Sequence, residues 1–566
     1  MSIESGYERW LNSARVDQTS KDELRKMSVS EKNDAFFKDL EFGTAGMRGL
    51  LGPGTNRMNV FTVRKATIGF AKYVLEKFPD ARLRGVAISH DNRHMSRAFT
   101  LDIARTLNLF GIKAYIFDSL RPTPELSFAV RYLSAVGGII ITASHNPKEY
   151  NGYKVYDENG CQLVPYRIDR LVEIIASLKN ELEVEVEHSK PLGKTITLSK
   201  DIDNEYIRLV EAIQINPQLD KKGFKIVFTP QHGTSYMPAM RIFNDTGYEV
   251  YPVLSQCEPD PDFSGTLSPN PEDERAYIEP IKLAEKIGGH LIVMNDPDAD
   301  RVGVAYLSRK GTYELFTGNE SGALLIDYVL GQRKAKGLLS KNGIMYNTVV
   351  TSSLGTAIAL SYGVKVQSFL TGFKYIGDQI ALNEKIGGPH FEFGYEESYG
   401  CLVAPFCRDK DGLQAILLYC EMALYHFRNG KTLDMVMEEL QQKFGYHVDR
   451  LYSIEFKGPE GAELMNQLMV NMREKPLTEI NGQKVVRRED YFLSLAYENG
   501  KTEPINLPKS DVIKMYLEDG TTIAVRPSGT EPKCKFYYGA VGNDRTAVNE
   551  KPLSLHKALC KIYHIQ

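Results

Sequence analysis

A serine lies in a polar turn at the end of an apolar segment, where it could carry a reacting group. The stretch GGIIITASHNPKEYNGYKVYD covers residues 137–157, and its apolar run ends just before Thr142. Ser144 is followed at once by His145 and, ten residues later, by Lys154. A serine hydroxyl is a weak nucleophile unless neighbouring groups activate it. The stretch is therefore either an ordinary turn or the place where Ser144 is presented as a reacting group.

Three aspartates alternate in the stretch HLIVMNDPDADRVGVAY, directly after an apolar run. They are Asp296, Asp298 and Asp300, and Arg301 follows them. Carboxylates this close repel one another unless a cation lies among them, and hard oxygen ligands suit Mg²⁺. The alternatives are a solvated acidic turn and an EF-hand. The EF-hand is excluded because its sixth position would be Arg301 instead of glycine and its twelfth Leu307 instead of glutamate.

Three further stretches combine glycine, hydroxyl and basic side chains as phosphate-binding loops do. An exposed glycine N–H and a forked guanidinium both suit a phosphate dianion. The stretches are EFGTAGMRGLLGPG with Thr44, Gly46 and Arg48, LTGFKYIG with Thr371, Gly372 and Lys374, and AVRPSGTEPKCKFY with Arg526, Ser528, Gly529, Thr530, Lys533 and Lys535. We expect the residues of the last stretch to lie in one loop after a strand, although each stretch alone also fits a plain turn. In FGYEESYG, Glu396 and Ser398 offer acceptors for sugar hydroxyls, but a plain loop is the stronger interpretation of that stretch alone.

Composition and missing motifs exclude several classes of protein. The chain has 566 residues, a net charge of −3 and a pI near 6.5, which argues against a general nucleic-acid or membrane-surface binder. Its seven cysteines include no CxxC pair, and no apolar run is long enough to span a membrane, so we expect a cytoplasmic protein with reduced thiols. The spacing of His90 and His94 in HDNRH resembles a zinc pair, but no HExxH is present and zinc is disfavoured. The nucleotide-binding motifs GxGxxG and GxxxxGK[ST] do not occur, so the sequence gives no support for a nucleotide-binding fold of either type.

The elements that must position these residues follow one repeated pattern. Residues 84–118, 224–253 and 343–372 each read as a strand, a polar loop, an amphipathic helix, a glycine and a second strand. The glycines stand where a helix ends at positive φ, and they are Gly111, Gly247 and Gly363. Strand–helix–strand units of this length form parallel crossovers. We therefore predict an α/β protein with three related domains whose sheets are mixed and mostly parallel.

Polar breaks and a change of texture set the expected domain boundaries. The segment 180–203 separates the first unit from the second, a predicted hairpin at 306–313 closes the second, and helices over 413–444 close the third. Beyond them the sequence alternates as antiparallel strands do, with a turn at Asp519-Gly520, which predicts a C-terminal α+β domain. The predicted domains are residues 1–200, 201–312, 313–444 and 445–566.

Six of these stretches resemble, in the same order, the motifs of the α-D-phosphohexomutase family, which contains the phosphoglucomutases and phosphomannomutases. They are TAGMRG at 44–49, TASHNP at 142–147 with NGYK at 151–154, DPDADR at 296–301, TGFK at 371–374, EES at 396–398 and RPSGT at 526–530. The resemblance covers nearly the whole chain. It implies four domains in a heart-shaped arrangement around a central cleft, which carry in turn the phosphoserine, metal, sugar-binding and phosphate-binding loops.

The resemblance also implies a role for each site residue. Ser144 would be the phosphorylated serine and would bind Mg²⁺ together with the three aspartates. Arg48 and His145 would surround the transferring group, and Lys154 and Lys410 would be acid–base candidates. The remaining positions would bind substrate, and they are Thr44, Arg301, Thr371, Gly372, Lys374, Glu396, Ser398, Arg526, Ser528, Gly529, Thr530 and Lys535.

The implied reaction interconverts glucose 1-phosphate and glucose 6-phosphate through phospho-Ser144, with glucose 1,6-bisphosphate as intermediate and activator. Bacterial phosphomannomutases carry a histidine two residues after the sugar-loop serine, whereas this chain has Gly400, which favours glucose. The alternatives are a phosphopentomutase, a phosphomannomutase, a sugar-bisphosphate synthase, a phosphatase and a catalytically silent binding protein. The presence of Ser144 and all three aspartates argues against the silent form. The expected partner is a small phosphosugar, bound by a monomer or dimer.

Overall fold

The computed structural model describes residues 3–43, 46–184, 192–456, 458–527 and 533–565. The chain folds into two compact units, of which the first comprises Met1–Gly318 with Phe373–Gly430 and the second Asn319–Gly372 with Lys431–Gln566. The α-helices in the described segments are α1 (Ile3–Asn12), α2 (Gln18–Lys26), α3 (Val29–Phe36), α4 (Val60–Lys77), α5 (Ala81–Arg84), α6 (Ser96–Leu109), α7 (Thr123–Tyr132), α8 (Pro165–Ser177), α9 (Lys200–Glu211), α10 (Tyr236–Thr246), α11 (Ile278–Ile287), α12 (Gly318–Ala335), α13 (Ser353–Ser361), α14 (Phe373–Ile386), α15 (Gly412–Arg428), α16 (Leu433–Phe444), α17 (Gly458–Glu474) and α18 (Arg545–Tyr563). Within the described segments, no helix combines the length and the apolar character that crossing a membrane requires.

The strands alternate with these helices as far as the C-terminal part of the chain, where strands predominate. They are β1 (Met47–Leu50), β2 (Val86–His90), β3 (Ala114–Ile116), β4 (Gly137–Ile141), β5 (Tyr150–Tyr156), β6 (Thr195–Thr197), β7 (Lys225–Thr229), β8 (Glu249–Pro252), β9 (Leu291–Asn295), β10 (Val302–Leu307), β11 (Tyr313–Leu315), β12 (Gly343–Thr348), β13 (Lys365–Phe369), β14 (His390–Glu396), β15 (Gly400–Leu402), β16 (Tyr446–Glu455), β17 (Glu479–Ile480), β18 (Gln483–Asp490), β19 (Leu495–Glu498), β20 (Lys501–Pro504), β21 (Ile513–Leu517), β22 (Thr522–Pro527) and β23 (Lys533–Gly542).

The first unit begins with a six-stranded sheet in the order β1-β5-β4-β2-β3-β6. Strands β4, β2, β3 and β6 are parallel, whereas at one edge β5 pairs antiparallel with β4 and β1 pairs antiparallel with β5. Alternate residues of β4 enter opposite cores, because Ile139 and Ile141 pack with α4, α6 and α8 while Ile140 packs with α7. Burial on both faces accounts for the continuous apolar run that precedes the serine turn.

A second sheet in the first unit has the order β11-β10-β9-β7-β8. Strands β9, β7 and β8 are parallel, and the hairpin of β10 and β11 adds two antiparallel strands. The hairpin predicted at 306–313 is thus confirmed. Strands β14 and β15 of the same unit pair antiparallel, and α15 follows them along the chain.

The three predicted strand–helix–strand repeats are confirmed. In each, the two strands are parallel neighbours, as β2 with β3, β7 with β8 and β12 with β13. The predicted terminating glycines Gly111, Gly247 and Gly363 have φ values of 77°, 79° and 85°. A positive φ ends the helix at no steric cost only where the residue lacks a Cβ. The local pattern therefore determines these three crossovers.

The second unit contains the third repeat and the C-terminal domain. Strands β16, β23, β22, β21, β18, β19 and β20 form an antiparallel sheet in that order. Helices α17 and α18 pack on it through an apolar core that includes Leu468, Leu555 and Phe536. The predicted antiparallel α+β texture is confirmed, and so is the Asp519-Gly520 turn between β21 and β22, where Gly520 has a φ of 87°.

The expectation that the residues of AVRPSGTEPKCKFY lie in one loop is wrong for those that the structure describes. Arg526 is part of β22, and Lys533 and Lys535 are part of β23. The two strands pair antiparallel with Arg526 directly opposite Lys535. Apolar residues alternate with polar ones in both strands, so β22 continues to Pro527 and β23 begins at Lys533. The strands are therefore longer than the polar residues of this stretch indicate.

Candidate active site

Ser144 lies in a sharp turn directly beyond β4. Its φ of 52° is in the left-handed region, which residues other than glycine seldom adopt. The N–H of Ser144 donates to Oγ1 of Thr142 at 2.8 Å. Only 4% of Ser144 is exposed. The strained turn therefore encloses the serine and holds its hydroxyl among the groups described next.

Two groups contact the hydroxyl of Ser144. Its Oγ donates to Oδ2 of Asp296 at 2.5 Å and lies 3.1 Å from Nδ1 of His145. Because the single hydroxyl proton serves the bond to Asp296, Nδ1 of His145 is the donor in the second contact. Burial, followed by the positive charges of Arg301 and Arg48, lowers the pKa of His145 well below its usual value. The imidazole is therefore neutral at pH 7.

The three predicted aspartates form the one cluster with metal-binding geometry among the residues that the structure describes. One oxygen from each of Asp296, Asp298 and Asp300 lies within 4.8 Å of the others, and all three side chains are buried. Burial and the two neighbouring carboxylates raise the pKa of Asp296 well above its usual value. The Oδ1 atoms of Asp298 and Asp300 are buried and accept no hydrogen bond. These two oxygens can therefore serve as ligands for a cation.

Two lysines lie against the same carboxylates. Nζ of Lys154 lies 2.9 Å from Oδ2 of Asp298 and 3.7 Å from Oδ2 of Asp300, and Nζ of Lys410 lies 3.1 Å from the latter atom. Burial disfavours the charged form of each lysine, but the carboxylates outweigh it and raise the pKa of both. Burial likewise opposes ionisation of Asp298, yet Lys154 and its hydrogen bonds lower the pKa of Asp298 far below its usual value. Both lysines are therefore ammonium groups at neutral pH.

The pairing of β5 brings the strands of Lys154 and Arg48 beside the strand that leads into the serine turn. Strand β5, which carries Lys154, lies between β4 and β1, and Arg48 is part of β1. Gly46 precedes β1 with a φ of 91°, and a Cβ at this position would lie 2.0 Å from the carbonyl oxygen of Tyr153. Only glycine therefore permits this approach. Arg48 extends from β1 to the turn, where its NH1 donates to Oδ1 of Asn146 at 3.2 Å.

The turn that joins β14 to β15 lies beside the aspartate turn. The carbonyl of Tyr399 accepts the N–H of Val302, which follows the aspartates, at 2.8 Å. Glu396 is buried and interacts electrostatically with Lys410 and with the arginine that ends the aspartate motif. Ser398 is partly exposed in the same turn. The predicted sugar-binding pair is thus part of the same unit as Ser144.

Gly400 provides the space through which Lys410 reaches the aspartates. A Cβ at residue 400 would lie 2.0 Å from Cδ of Lys410. The methylene chain of Lys410 therefore crosses the position that any larger side chain at residue 400 would fill, before its Nζ reaches Asp300. A substitution at Gly400 must displace Lys410.

Sequence reasoning missed two residues that hold the aspartate turn. Thr123, the first residue of α7, donates from its N–H to the carbonyl of Asp298 at 2.9 Å and from Oγ1 to Oδ2 of Asp298 at 3.0 Å. Glu272 accepts from NH1 of Arg301 at 2.7 Å. Neither Thr123 nor Glu272 belongs to a recognisable catalytic or binding motif, so the sequence did not indicate that they contact the aspartate turn.

The HDNRH stretch contributes through its arginine instead of its histidines. Nδ1 of His90 contacts a backbone carbonyl at 2.7 Å, and His94 pairs with Asp262 at 3.3 Å, so the two rings do not converge on one point. Arg93, between them, donates from NH2 to the carbonyl of Ser144 at 2.5 Å. The only available signal was its place at the end of a strand next to β4.

The other predicted positions belong to further segments of the chain. Lys374 is buried near the start of α14 in the first unit. The described phosphate and substrate positions of the second unit are Thr371, Gly372, Arg526 and Lys535. Four predicted positions lie outside the described residues, namely Thr44, Ser528, Gly529 and Thr530.

The fold and the serine–aspartate geometry together define an α/β enzyme of the phosphoryl-transfer class. Four domain profiles match the chain in order, and all four describe phosphoglucomutase/phosphomannomutase. They cover residues 39–182 with α/β/α domain I, 204–308 with α/β/α domain II, 317–444 with α/β/α domain III and 464–550 with the C-terminal domain. The chain belongs to the phosphoglucomutase/phosphomannomutase family, which confirms the resemblance drawn from its sequence.

Similar proteins extend over nearly the whole chain. A phosphoglucomutase of Staphylococcus epidermidis is 38% identical over 523 residues, which are 91% of this chain and 93% of that protein. A phosphoglucomutase of Staphylococcus aureus is 37% identical over 534 residues, which are 94% of each chain. Among solved structures, the open form of the exocytosis-sensitive phosphoprotein parafusin, a phosphoglucomutase from Paramecium, matches with a TM-score of 0.67 at 21% identity. That match covers 93% of this chain and 95% of the other, and it shows the shared fold.

Proposed function

We propose that the protein is a phosphoglucomutase that interconverts glucose 1-phosphate and glucose 6-phosphate. The observation that carries the proposal is the bond of 2.5 Å between Oγ of Ser144 and Oδ2 of Asp296, inside a cluster of three carboxylates. The names of the similar Staphylococcus proteins support the same activity. An isolated serine hydroxyl would be a poor phosphoryl carrier, whereas one enclosed by cation ligands and ammonium groups is a good one.

Ser144 carries the phosphoryl group in this proposal. Phospho-Ser144 transfers its phosphoryl group to the free hydroxyl of the bound sugar phosphate, so that the P–Oγ bond breaks and a new P–O bond forms. The sugar hydroxyl loses its proton in this step, and Oγ of Ser144 gains one. The product of this step is glucose 1,6-bisphosphate, which turns round in the site. Its other phosphoryl group then returns to Ser144. Phosphoryl transfer depends chiefly on positioning and on charge stabilisation, which the described residues are arranged to supply.

The aspartate cluster fits Mg²⁺. The carboxylate oxygens are hard ligands, they are close enough to share one ion, and two of them are buried without a hydrogen bond. Asp296, Asp298 and Asp300 would hold the ion together with the phosphoryl group on Ser144. When bound, Mg²⁺ would offset the negative charge of that phosphoryl group.

Lys154 and Lys410 are the acid–base candidates. Their raised pKa values mean that each enters the reaction as an ammonium group. Each can therefore stabilise the phosphoryl group during its transfer. Each can also donate a proton to the oxygen from which the phosphoryl group departs. His145, which is neutral, keeps its Nδ1 proton directed at Oγ of Ser144 and thereby orients the serine oxygen.

The phosphate that does not react is bound, in this proposal, by the hairpin of β22 and β23. Arg526 and Lys535 lie directly opposite each other, so their positive side chains are on the same face of the sheet. Like charges in this arrangement repel unless an anion lies between them, which suits a phosphate group. Ser528, Gly529, Thr530 and Thr44 remain predicted contacts, as do Thr371, Gly372, Lys374, Glu396 and Ser398.

Gly400 favours glucose over mannose as the sugar. Lys410 fills the space above Gly400, so the histidine that bacterial phosphomannomutases carry at this position would not fit without moving the lysine. The comparison of glucose 1-phosphate with ribose 1-phosphate separates a hexose preference from a pentose preference.

The remaining assignments follow from the sequence. We retain four domains at residues 1–200, 201–312, 313–444 and 445–566, with a small phosphosugar as the partner of a monomer or dimer. All seven cysteines lie in described segments and are free thiols, as in proteins of a reducing compartment. We therefore propose a cytoplasmic location.

A substrate comparison tests the proposed function. Purified protein with Mg²⁺ is offered glucose 1-phosphate, mannose 1-phosphate and ribose 1-phosphate, with and without glucose 1,6-bisphosphate, and the products are followed by ³¹P NMR. We expect glucose 6-phosphate to form fastest and the bisphosphate to accelerate its formation. Faster conversion of ribose 1-phosphate would make the protein a pentose mutase, and net release of inorganic phosphate would make it a phosphatase.

A further inference from the structure

Arg93 binds the backbone of the serine turn at four points. Its NH2 donates to the carbonyls of Ser144 and Asn146, each at 2.5 Å, and its NH1 donates to those of Pro147 and Tyr150 at 2.8 and 3.1 Å. All four partners are backbone carbonyls, so the guanidinium group fixes the path of the chain itself. Only 3% of Arg93 is exposed, so water does not compete for these bonds.

The guanidinium group of Arg93 is itself held in one position. Its Nε lies 3.2 Å from Oδ2 of Asp91, which neutralises the buried charge. Asp91 is fixed in turn, because its Oδ1 accepts the N–H of Arg93 at 3.0 Å and Oγ of Ser96 at 2.8 Å. The ring of Phe263 covers the guanidinium at 5.1 Å. A planar fork with this support forms a rigid anchor.

The serine turn needs such an anchor because its conformation is strained. A φ of 52° at Ser144 brings Cβ close to the following carbonyl, and residues with a Cβ avoid this region unless their surroundings impose it. The carbonyl of Ser144 is one of the two carbonyls that lie nearest to Arg93, each at 2.5 Å. If this peptide rotated to an ordinary negative φ, the Oγ of Ser144 would swing away from Asp296.

We propose that Arg93 is a positioning residue for phosphoryl transfer, which holds Ser144 in its left-handed conformation so that Oγ faces the aspartate cluster. The inference rests on the proposed function, because the step that it affects is transfer through Ser144. Arg93 acts on the backbone of the turn and contacts none of the reacting atoms. Its loss therefore slows the transfer step and leaves the binding of the sugar phosphate unchanged.

The expected effect is a fall of about 100-fold in the rate at which Ser144 is phosphorylated, since a misplacement of about 1 Å has consequences of this size. The affinity for glucose 6-phosphate should stay within about twofold of the wild-type value, because the proposed sugar and phosphate contacts lie on other loops. A general loss of structure would lower both quantities together.

The test uses the double variant Asp91→Asn/Arg93→Met. Removing the guanidinium alone would leave Asp91 as a buried charge without a partner, which is strongly destabilising, whereas the asparagine keeps the Oδ1 acceptor. The variant Arg93→Lys retains the charge but cannot span four carbonyls. The control is Arg57→Met, because Arg57 is buried and donates to the carbonyls of Asp34 and Asn56 instead of the serine turn.

Three measurements are made on the full-length protein with Mg²⁺. They are the rate of Ser144 phosphorylation by glucose 1,6-bisphosphate from quenched samples and intact mass, the affinity for glucose 6-phosphate by calorimetry, and the unfolding temperature. We expect slow phosphorylation with unchanged affinity in the double variant, a smaller loss in Arg93→Lys, and wild-type behaviour in Arg57→Met. If the double variant does not fold, Arg93→Lys carries the test with the same readouts.

Two outcomes would overturn the inference alone. One is phosphorylation of the substituted proteins within about threefold of the wild-type rate. The other is a proportional loss of rate and sugar affinity. A wild-type protein that takes up no phosphoryl group on Ser144 would instead overturn the proposed function, and this control separates the two failures.

Discussion

The hydroxyl of Ser144 and the carboxylate of Asp296 meet at 2.5 Å although the two residues are 152 positions apart in the chain. The turn of Ser144 follows β4 in the first sheet, and the turn of Asp296 follows β9 in the second. In each sheet this is the parallel strand next to the antiparallel ones. Side chains at the carboxyl ends of parallel strands are presented beyond the sheet, where ligands of α/β proteins bind. This one contact therefore links the predicted phosphoryl carrier to the predicted metal ligands.

Replacing Ser144 by alanine should abolish mutase turnover. The variant loses the covalent carrier, so turnover should fall below about a thousandth of the wild-type value, equivalent to about 4 kcal/mol of activation free energy. The intact mass of the wild-type protein should show a fraction with one phosphate, which peptide mapping assigns to Ser144. The control is Ser308→Ala, because Ser308 is a buried serine that bonds only within the turn between β10 and β11. Turnover by Ser144→Ala above the stated limit would show that another residue carries the group.

Replacing Asp298 by asparagine should weaken metal binding. One of three anionic ligands is lost, so the Mg²⁺ concentration for half-maximal activity should rise by about tenfold or more and kcat should fall. The measurement is a Mg²⁺ titration of chelator-treated protein, which should be inactive until the metal is restored. Asp220→Asn, at an exposed carboxylate paired with Arg428, should titrate as the wild type does. Full activity of the chelated wild-type protein would contradict the metal site.

Much of the fold was predictable because its signals are local. Each crossover requires only an apolar strand, an amphipathic helix and a glycine at positive φ, and Gly111, Gly247 and Gly363 all supply that glycine. The antiparallel strands β1 and β5 were not predicted. Their pairing joins positions about a hundred residues apart, so it depends on the assembled sheet and leaves no local pattern.

The same distinction applies to the site. Ser144 and the aspartates were identified because their residue types and spacing imply chemistry. Arg93 and Thr123 were missed because they act largely on backbone atoms, which any sequence provides. The contact between Gly400 and Lys410 could not be predicted from the sequence either, since it depends on the space that the missing side chain of a glycine leaves for the lysine.

Replacing Gly400 by alanine should impair catalysis through Lys410. The new Cβ would lie 2.0 Å from Cδ of Lys410, so the lysine must leave its position at Asp300. We expect kcat to fall by about tenfold, which corresponds to about 1.4 kcal/mol.

A double-mutant cycle gives this prediction its control. Lys410→Ala has no Cδ to displace, so adding Gly400→Ala to it should change kcat by less than about twofold. An equal loss from Gly400→Ala in both backgrounds would show that residue 400 acts on the hairpin itself and not on the lysine.

The stability of the second unit should depend on pH through Lys514. Burial lowers the pKa of Lys514 to about 8, although the charges of Glu489 and Asp449 oppose the shift. Below pH 8 the native state carries the cost of a poorly solvated charge. Between pH 8 and the ordinary pKa of 10.5 the unfolded chain binds the proton and the native state does not. The free energy of unfolding should therefore rise with pH in this window, by up to about 1.4 kcal/mol per pH unit.

The measurement is urea unfolding followed by circular dichroism at pH 7.5 and 9.5. Lys514→Met should remove the rise, whereas Lys509→Met, at an exposed lysine of the same unit, should keep it. If Lys514→Met and the wild type show the same increase between the two pH values, another group is responsible for it.

Replacing Arg526 by lysine should lower kcat/KM for both substrates to the same extent. Arg526 can bind phosphate through two parallel hydrogen bonds, and an ammonium group cannot reproduce this fork. The loss in kcat/KM should be about 10- to 100-fold, or roughly 1.4 to 2.8 kcal/mol, for glucose 1-phosphate and for glucose 6-phosphate. Both directions must lose equally, because the variant cannot change the overall equilibrium between the two sugars. Arg450→Lys, at an exposed arginine of the same sheet, is the matched control.

The decisive measurement for Arg526 is the release of the intermediate. Glucose 1,6-bisphosphate must stay bound while it turns round, and in the proposal the hairpin of Arg526 and Lys535 holds the phosphate that is not reacting. If the variant binds this phosphate more weakly, the bisphosphate should dissociate more often per turnover. Isotope-labelled intermediate that dissociates is diluted into an excess of unlabelled bisphosphate, and the label found in that pool measures the release. Wild-type release combined with wild-type substrate affinity would place the phosphate contact elsewhere. Lys533, Lys535 and Arg48 would then be the positions to substitute next, since each carries a positive charge in a stretch with phosphate-binding character.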